Sequence, residues 1–225
     1  MWLAGHTRTS YTHHSTPINL PTKSGPKTNL LSLAQSSIPP CRLNPFLFNG
    51  HLQTMYTALH AVGPPIYYKR RIFESTHSLY PGQFTVDFVV PKSEGGEDVK
   101  DETLPERTTN YTAEEEGELR SEDDTPMLVC LHGLTGGSHE VYLREVIAPI
   151  TAAGWAACVI NSRGCAQSKI TTPMLFSARS TWDLRQLIRW LRKAFPNRPL
   201  YGVGCSLGAN IMTSMFVTES VGFRD

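Results

Sequence analysis

Leu200-Tyr201-Gly202-Val203-Gly204-Cys205-Ser206-Leu207-Gly208-Ala209-Asn210 sets a G-x-S-x-G pentapeptide between an apolar strand-like run and an apolar helix-like run that reaches Val217. Leu200–Gly204 predicts a strand and Ala209–Val217 a helix. Between such neighbours the pentapeptide predicts a sharp turn that holds the Ser206 Oγ out for attack on a carbonyl carbon. Without that context it is a chance pattern in a glycine-rich turn. Gly204 and Gly208 have a steric task here, because strand and helix backbones converge where Cβ atoms would collide. Helix N-terminal amides also face any oxyanion formed at the turn.

Upstream, from Pro126, strands and helices alternate. Met127–Leu131 is a short apolar run ending in His132-Gly133, Val141–Ala153 is helical and stops at Gly154, and Trp155–Asn161 is the next strand. Ser180–Phe195 predicts a helix with Leu184, Leu187, Ile188, Leu191 and Phe195 on one face, a capping-box-like start at Ser180 and Asp183, and Pro196 beyond its end. This alternation implies parallel βαβ units in one twisted sheet. Tyr67–Glu74 and Phe84–Pro91 predict an antiparallel start to that sheet.

The chain has 225 residues, 40% of them hydrophobic, enough for one sizeable core. The formal charge of +1 hides an uneven spread: no acid precedes Glu74, and thirteen of the twenty fall within 93–124. Residues 1–40 read as a disordered Ser/Thr/Pro-rich leader, and 41–225 as the domain. Residues 93–124 read as a solvated acidic insertion. Neither charge block has the aromatic-interleaved basic pattern of a nucleic-acid groove, and no apolar stretch approaches a membrane span. Five cysteines without CxxC spacing suggest reduced thiols and an intracellular, cytoplasmic chain, with lipid-droplet or mitochondrial association left open. No motif calls for a cofactor or a metal.

His132-Gly133-Leu134-Thr135-Gly136-Gly137 leaves its strand as a glycine-rich loop without P-loop spacing. Ahead of the serine turn, an oxyanion loop is the better account, with the backbone N–H groups of Leu134 and Leu207 as donors. His132 reads as an organiser of that loop rather than as a base, and Arg163 as an ion fixing a turn rather than as a substrate clamp. A thiol nucleophile at Cys205 is disfavoured, since the turn presents residue 206.

Four motifs in order carry a resemblance: NPFLFNGHLQT at 44–54, HGLTGGSHE at 132–140, NSRGCAQS at 161–168 and GCSLGAN at 204–210. Together they resemble the YheT/EMB8-type branch of the α/β-hydrolases. This is the AB hydrolase 4 family, with its ABHD1/ABHD3-like members and yeast medium-chain fatty acid ethyl ester synthases/esterases. The resemblance covers about Asn44 to Met215 and implies an incomplete α/β-hydrolase fold. Its sheet would be mostly parallel with an antiparallel start, ending just after the elbow helix. It implies Ser206 as nucleophile, Leu134 and Leu207 as oxyanion donors, and a lipid-like acyl ester as substrate. His51 falls in a family motif, where a structural hydrogen-bonding role is expected.

In that family the triad acid and histidine follow the serine in chain order. All eight histidines here precede Ser206, so the expectation is a serine esterase or acyltransferase lineage impaired in this chain. A non-catalytic remnant or binding module is the alternative. The strand at 200–204 is expected to form a sheet edge open to a completing partner or to self-association.

Overall fold

The computed structural model describes residues 9–23, 25, 27–39, 44–60, 62–93 and 102–220, the last three by backbone alone. The chain divides into two compact units, residues 1–61 and 62–225. In the first, strand β1 (Asn19–Leu20) pairs antiparallel with β2 (Thr28–Asn29). Helix α1 (Leu30–Ser37) follows, its first turn capped by Asn29 Oδ1 accepting from the Ser32 N–H at 2.8 Å. The stretch expected as a disordered leader therefore holds regular structure at 19–20 and 28–37, although α1 buries no residue. Residues 1–8, 24, 26 and 40 of that expected leader lie outside the described residues. Helix α2 (Gly50–His60) starts at another asparagine cap, Asn49 Oδ1 accepting from the Leu52 N–H. The His51 ring makes no hydrogen bond among the described residues, so the bonding role expected of it is not seen.

The second unit is built on a six-stranded sheet. Its strands in chain order are β3 (Tyr67–Glu74), β4 (Gln83–Val90), β5 (Thr108–Asn110), β6 (Met127–Leu131), β7 (Ala156–Asn161) and β8 (Leu200–Gly204). They lie side by side as β5-β3-β4-β7-β6-β8. β4 runs antiparallel to both neighbours, while β7, β6 and β8 are parallel, which is the mostly parallel sheet with an antiparallel start. β8 is the outer strand on its side, with β6 as its one partner among the described residues, as expected of an edge.

The period-2 alternation of buried strands divides the core between two faces. Met127, Val129 and Leu131 join Leu184, Leu187 and Leu191 of α5 (Trp182–Ala194) and Ile211 and Met215 of α6 (Leu207–Ser220). Leu128 and Cys130 turn the other way, toward Leu143 and Ile147 of α4 (Val141–Ala152). α5 begins at Trp182, and the capping box expected at Ser180 and Asp183 does not form. Ser180 Oγ instead accepts from the Ser177 N–H, and the Asp183 carboxylate is taken by Arg163.

The acidic segment also departs from a solvated loop. Residues 94–101 lie outside the described residues, but Thr108–Asn110 extends the sheet beside β3. Helix α3 (Ala113–Glu118) starts on a capping box formed by Thr112 and Glu115. Glu115 pairs with Lys69 and Glu116 with Arg71, while Asp123 takes Arg198 through two oxygens. Lys69 holds the Glu115 carboxyl, and Arg198 that of Asp123, below the ordinary range. The segment's charge is thus met in part by basic side chains of β3 and of the turn before β8.

Candidate active site

β8 enters the site on the sheet edge, and its end is pinned where the Cys205 N–H donates to the Leu131 carbonyl at 3.0 Å. One residue later Ser206 has φ 51°, a left-handed backbone that a side-chain-bearing residue rarely adopts. α6 begins at once, with the Gly208 N–H donating to the Cys205 carbonyl at 2.8 Å. The two flanking glycines are sterically required. A Cβ at Gly204 would lie 2.5 Å from the Ala209 Cα, and one at Gly208 would lie 2.4 Å from the carbonyl oxygens of Leu131 and His132. The result is an exposed serine whose Oγ makes no hydrogen bond among the described residues.

Gly133 stands opposite. A Cβ there would sit 3.5 Å from the Ser206 Cβ and 3.7 Å from the Cys205 carbonyl oxygen, so the loop after β6 runs directly beside the serine turn. The Gly133 N–H is taken by the Tyr142 hydroxyl at 2.9 Å, which fixes the loop from the first turn of α4. Burial raises the Tyr142 phenol above its ordinary value. Among the described residues nothing accepts from the N–H of Leu134, and the same holds for Leu207, the first residue of α6. The Leu134 side chain is exposed.

His132 is buried at the root of the loop and uses both ring nitrogens. Nδ1 donates to the Gly133 carbonyl and Nε2 accepts from the Ser162 N–H at 3.0 Å. That pattern demands a neutral ring with the proton on Nδ1, and desolvation lowers its pKa accordingly. A histidine so engaged ties the loops after β6 and β7 together, the organising role its position suggested. Arg163, in the same loop after β7, fastens that loop to α5 and to the turn before β4. It clasps Asp183 at 2.8 Å through Nε and Nη2 and donates to the carbonyls of Tyr80 and Pro81.

Sequence reading missed a third support. Asp87, fully buried on β4, accepts from Arg70 Nε and Nη2 at 2.7 and 2.8 Å, from Asn161 Nδ2 at 2.8 Å and from Ser138 Oγ at 2.5 Å. Asn161 Oδ1 accepts in turn from the Ser138 N–H, and Arg70 Nη1 donates to the Ala166 carbonyl. The network fastens both loops to the sheet from below. The signal available was an acid in the middle of the β-patterned run Phe84–Val90, which reads as an exposed position until α4 is seen to cover that face.

A hydroxyl displayed at a strained turn, beside a glycine-lined loop and the N-terminus of a helix, is an arrangement for nucleophilic attack on a carbonyl. The fold and this turn are those of the α/β-hydrolase class, and residues 126–220 match the family described as alpha/beta hydrolase fold. Among individual proteins, the chain is 42% identical over 188 residues to a monoacylglycerol lipase of Saccharomyces cerevisiae, covering 77% of this chain and 41% of that one. It is 34% identical to medium-chain fatty acid ethyl ester synthase/esterase 2 of the same yeast (79% and 44% covered). The embryogenesis-associated protein EMB8 of Picea glauca is 33% identical (86% and 37% covered). The chain thus spans about two fifths of the length of these curated relatives.

Proposed function

We propose that this chain carries the nucleophile-bearing part of a serine carboxyl-ester hydrolase or acyltransferase that acts on lipid-like, medium-chain acyl esters. Ser206 Oγ attacks the ester carbonyl carbon, and the hydroxyl proton passes to a general base. The tetrahedral oxyanion is held by the N–H groups of Leu134 and Leu207. Its collapse expels the alcohol, with that proton returned to it, and leaves an acyl-Ser206. Water then releases a carboxylic acid, or a second alcohol releases a new ester. The observation that carries the reading is the left-handed φ of 51° at an exposed Ser206 with Gly133 against it. The yeast relatives, a monoacylglycerol lipase and an ester synthase/esterase, supply the substrate class.

Each oxyanion donor is worth about 3 kcal/mol of transition-state stabilisation. Among the described residues no imidazole or carboxylate bonds the Ser206 hydroxyl, so residues 1–225 by themselves are expected to turn esters over poorly. An unassisted serine falls on the order of 10⁶-fold short in kcat. That same observation favours the second reading, a hydrolase-fold module that binds without turnover. The exposed edge at β8 is offered as the place where further strand pairing occurs. Unpaired, largely buried thiols at Cys130, Cys158 and Cys165 suit a reducing compartment.

A fluorophosphonate probe separates the two readings. Labelling that disappears in Ser206→Ala and persists in Cys205→Ala is expected of a primed nucleophile. Absence of labelling in the folded wild-type chain would show that Ser206 is not primed within residues 1–225 and would favour the binding module.

A further inference from the structure

Arg144, on the first turns of α4, is 8% exposed and has no carboxylate partner among the described residues. Two other buried arginines behave differently, Arg70 clasping Asp87 and Arg163 clasping Asp183 through two nitrogens each. Arg144 instead donates from Nε to the His139 carbonyl and from Nη1 to those of Gly63 and Pro64, at 3.0–3.3 Å. Its Nη2 makes no hydrogen bond among the described residues. Carbonyl dipoles solvate a guanidinium without neutralising it, and a buried cation left that way attracts an anion.

Arg144 lines a solvent-open cavity of about 340 Å³ whose other polar walls include Arg107, His139, Gln167, Glu106 and Tyr68. Tyr68 is already engaged, its hydroxyl donating to the Ser138 carbonyl, and His139 Nε2 has Glu140 at 3.8 Å. Arg107 is held by its sequence neighbour Glu106 at 3.0 and 3.2 Å, but that carboxylate is 77% exposed and its grip is weak. Gln167, at the rim, has an amide without a partner among the described residues. Three separate segments, the turn at 105–107, α4 and the loop after β7, therefore bring donors to one cavity, and one of the cations has no counter-ion.

We propose that this cavity binds a phosphoryl group, as free phosphate or a phosphate ester, through Arg144 and Arg107 with the Gln167 amide at its mouth. A carboxylate presents two oxygens in one plane, whereas a phosphoryl group presents three in a tetrahedral array, which suits donors arriving from three directions. The volume admits a small phosphate ester or a lipid headgroup. The inference stands apart from the Ser206 chemistry, since none of these residues belongs to the serine turn.

Isothermal titration of the whole chain with sodium phosphate and with glycerol phosphate, at constant ionic strength, is the test. Saturable binding of both is expected, with acetate at least about tenfold weaker and Arg107→Ala reducing phosphate affinity by roughly tenfold. Arg107 lies on the turn before β5, three-quarters buried, and circular dichroism checks that its replacement keeps the fold; Arg144→Lys, which keeps the charge and removes the free Nη2, is the second variant. Cosedimentation with phosphatidylcholine vesicles, with and without phosphatidic acid, distinguishes the sources. Pelleting that requires phosphatidic acid and Arg107 identifies a headgroup, and binding of glycerol phosphate without pelleting identifies a soluble ester. No saturable phosphate binding, acetate binding as tight as phosphate, or unchanged affinity in both arginine variants would overturn the proposal.

Discussion

The serine turn and the Asp87 network lie at the same end of the sheet and are held together by opposite means. At the turn, shape is imposed by backbone and by missing atoms: two glycines that no larger residue can replace, a left-handed serine, and amides left without partners. Around Asp87, shape is imposed by charge and hydrogen bonds, with Arg70, Asn161 and Ser138 filling the carboxylate's capacity inside a closed core. The first arrangement stores strain and keeps a hydroxyl free, whereas the second leaves nothing free and gives the loops a rigid footing. A display site needs both, because a strained turn persists only where its surroundings over-determine it.

The largest effect is expected from Asp87→Ala. It strands the Arg70 guanidinium in the core, removes the acceptor of the Ser138 hydroxyl and takes one bond from Asn161, which keeps Thr85 and the Ser138 N–H. Breaking such a pair from one side costs about 3–5 kcal/mol, read as a lowered midpoint in urea unfolding. A loss below about 1 kcal/mol would mean the network is not the rigid half of the comparison. Ser206→Gly should act with the opposite sign. Removing the Cβ from a residue at φ 51° relieves strain, so the variant is expected to gain up to about 1 kcal/mol in the same assay while losing all probe labelling. A destabilised Ser206→Gly would show that the turn is relaxed.

The smallest effect is a pH slope from His132, which sits between the two regions. Burial holds its folded pKa below the ordinary 6.5, so the unfolded chain takes up the proton first. Stability from this group is complete above pH 6.5 and declines as the pH falls through that value, levelling once the folded ring also protonates. The slope is no steeper than about 1.4 kcal/mol per pH unit for one proton. Urea midpoints between pH 7.5 and 5, compared with a His132→Gln variant that lacks the slope, would check it.

The same contrast explains what was legible. The serine turn could be read because its determinants are residue types at adjacent positions, flanked by runs of the right period. The buried face of α5 was equally plain, with Leu184, Leu187 and Leu191 spaced for a helix. The Asp87 network could not be read, since residues 70, 87, 138 and 161 meet only through the sheet register and a loop return. At the start of α5, local capping chemistry gave way to a tertiary partner when Arg163 took Asp183. Around 93–124 a count of charges hid a local signal, the Thr112–Glu115 capping box, and hid the basic edge of β3 that meets it.

The sulfur atoms beneath the serine turn bear on how the turn can be interrogated. Burial pushes the Cys130 thiol up to about 12 and raises Cys205, the neighbour of Ser206, as well. Near neutral pH both stay as thiols, which are poor competitors for an electrophile. A covalent adduct recovered from a peptide spanning 200–210 therefore reports the oxygen of this bend rather than the sulfur next to it.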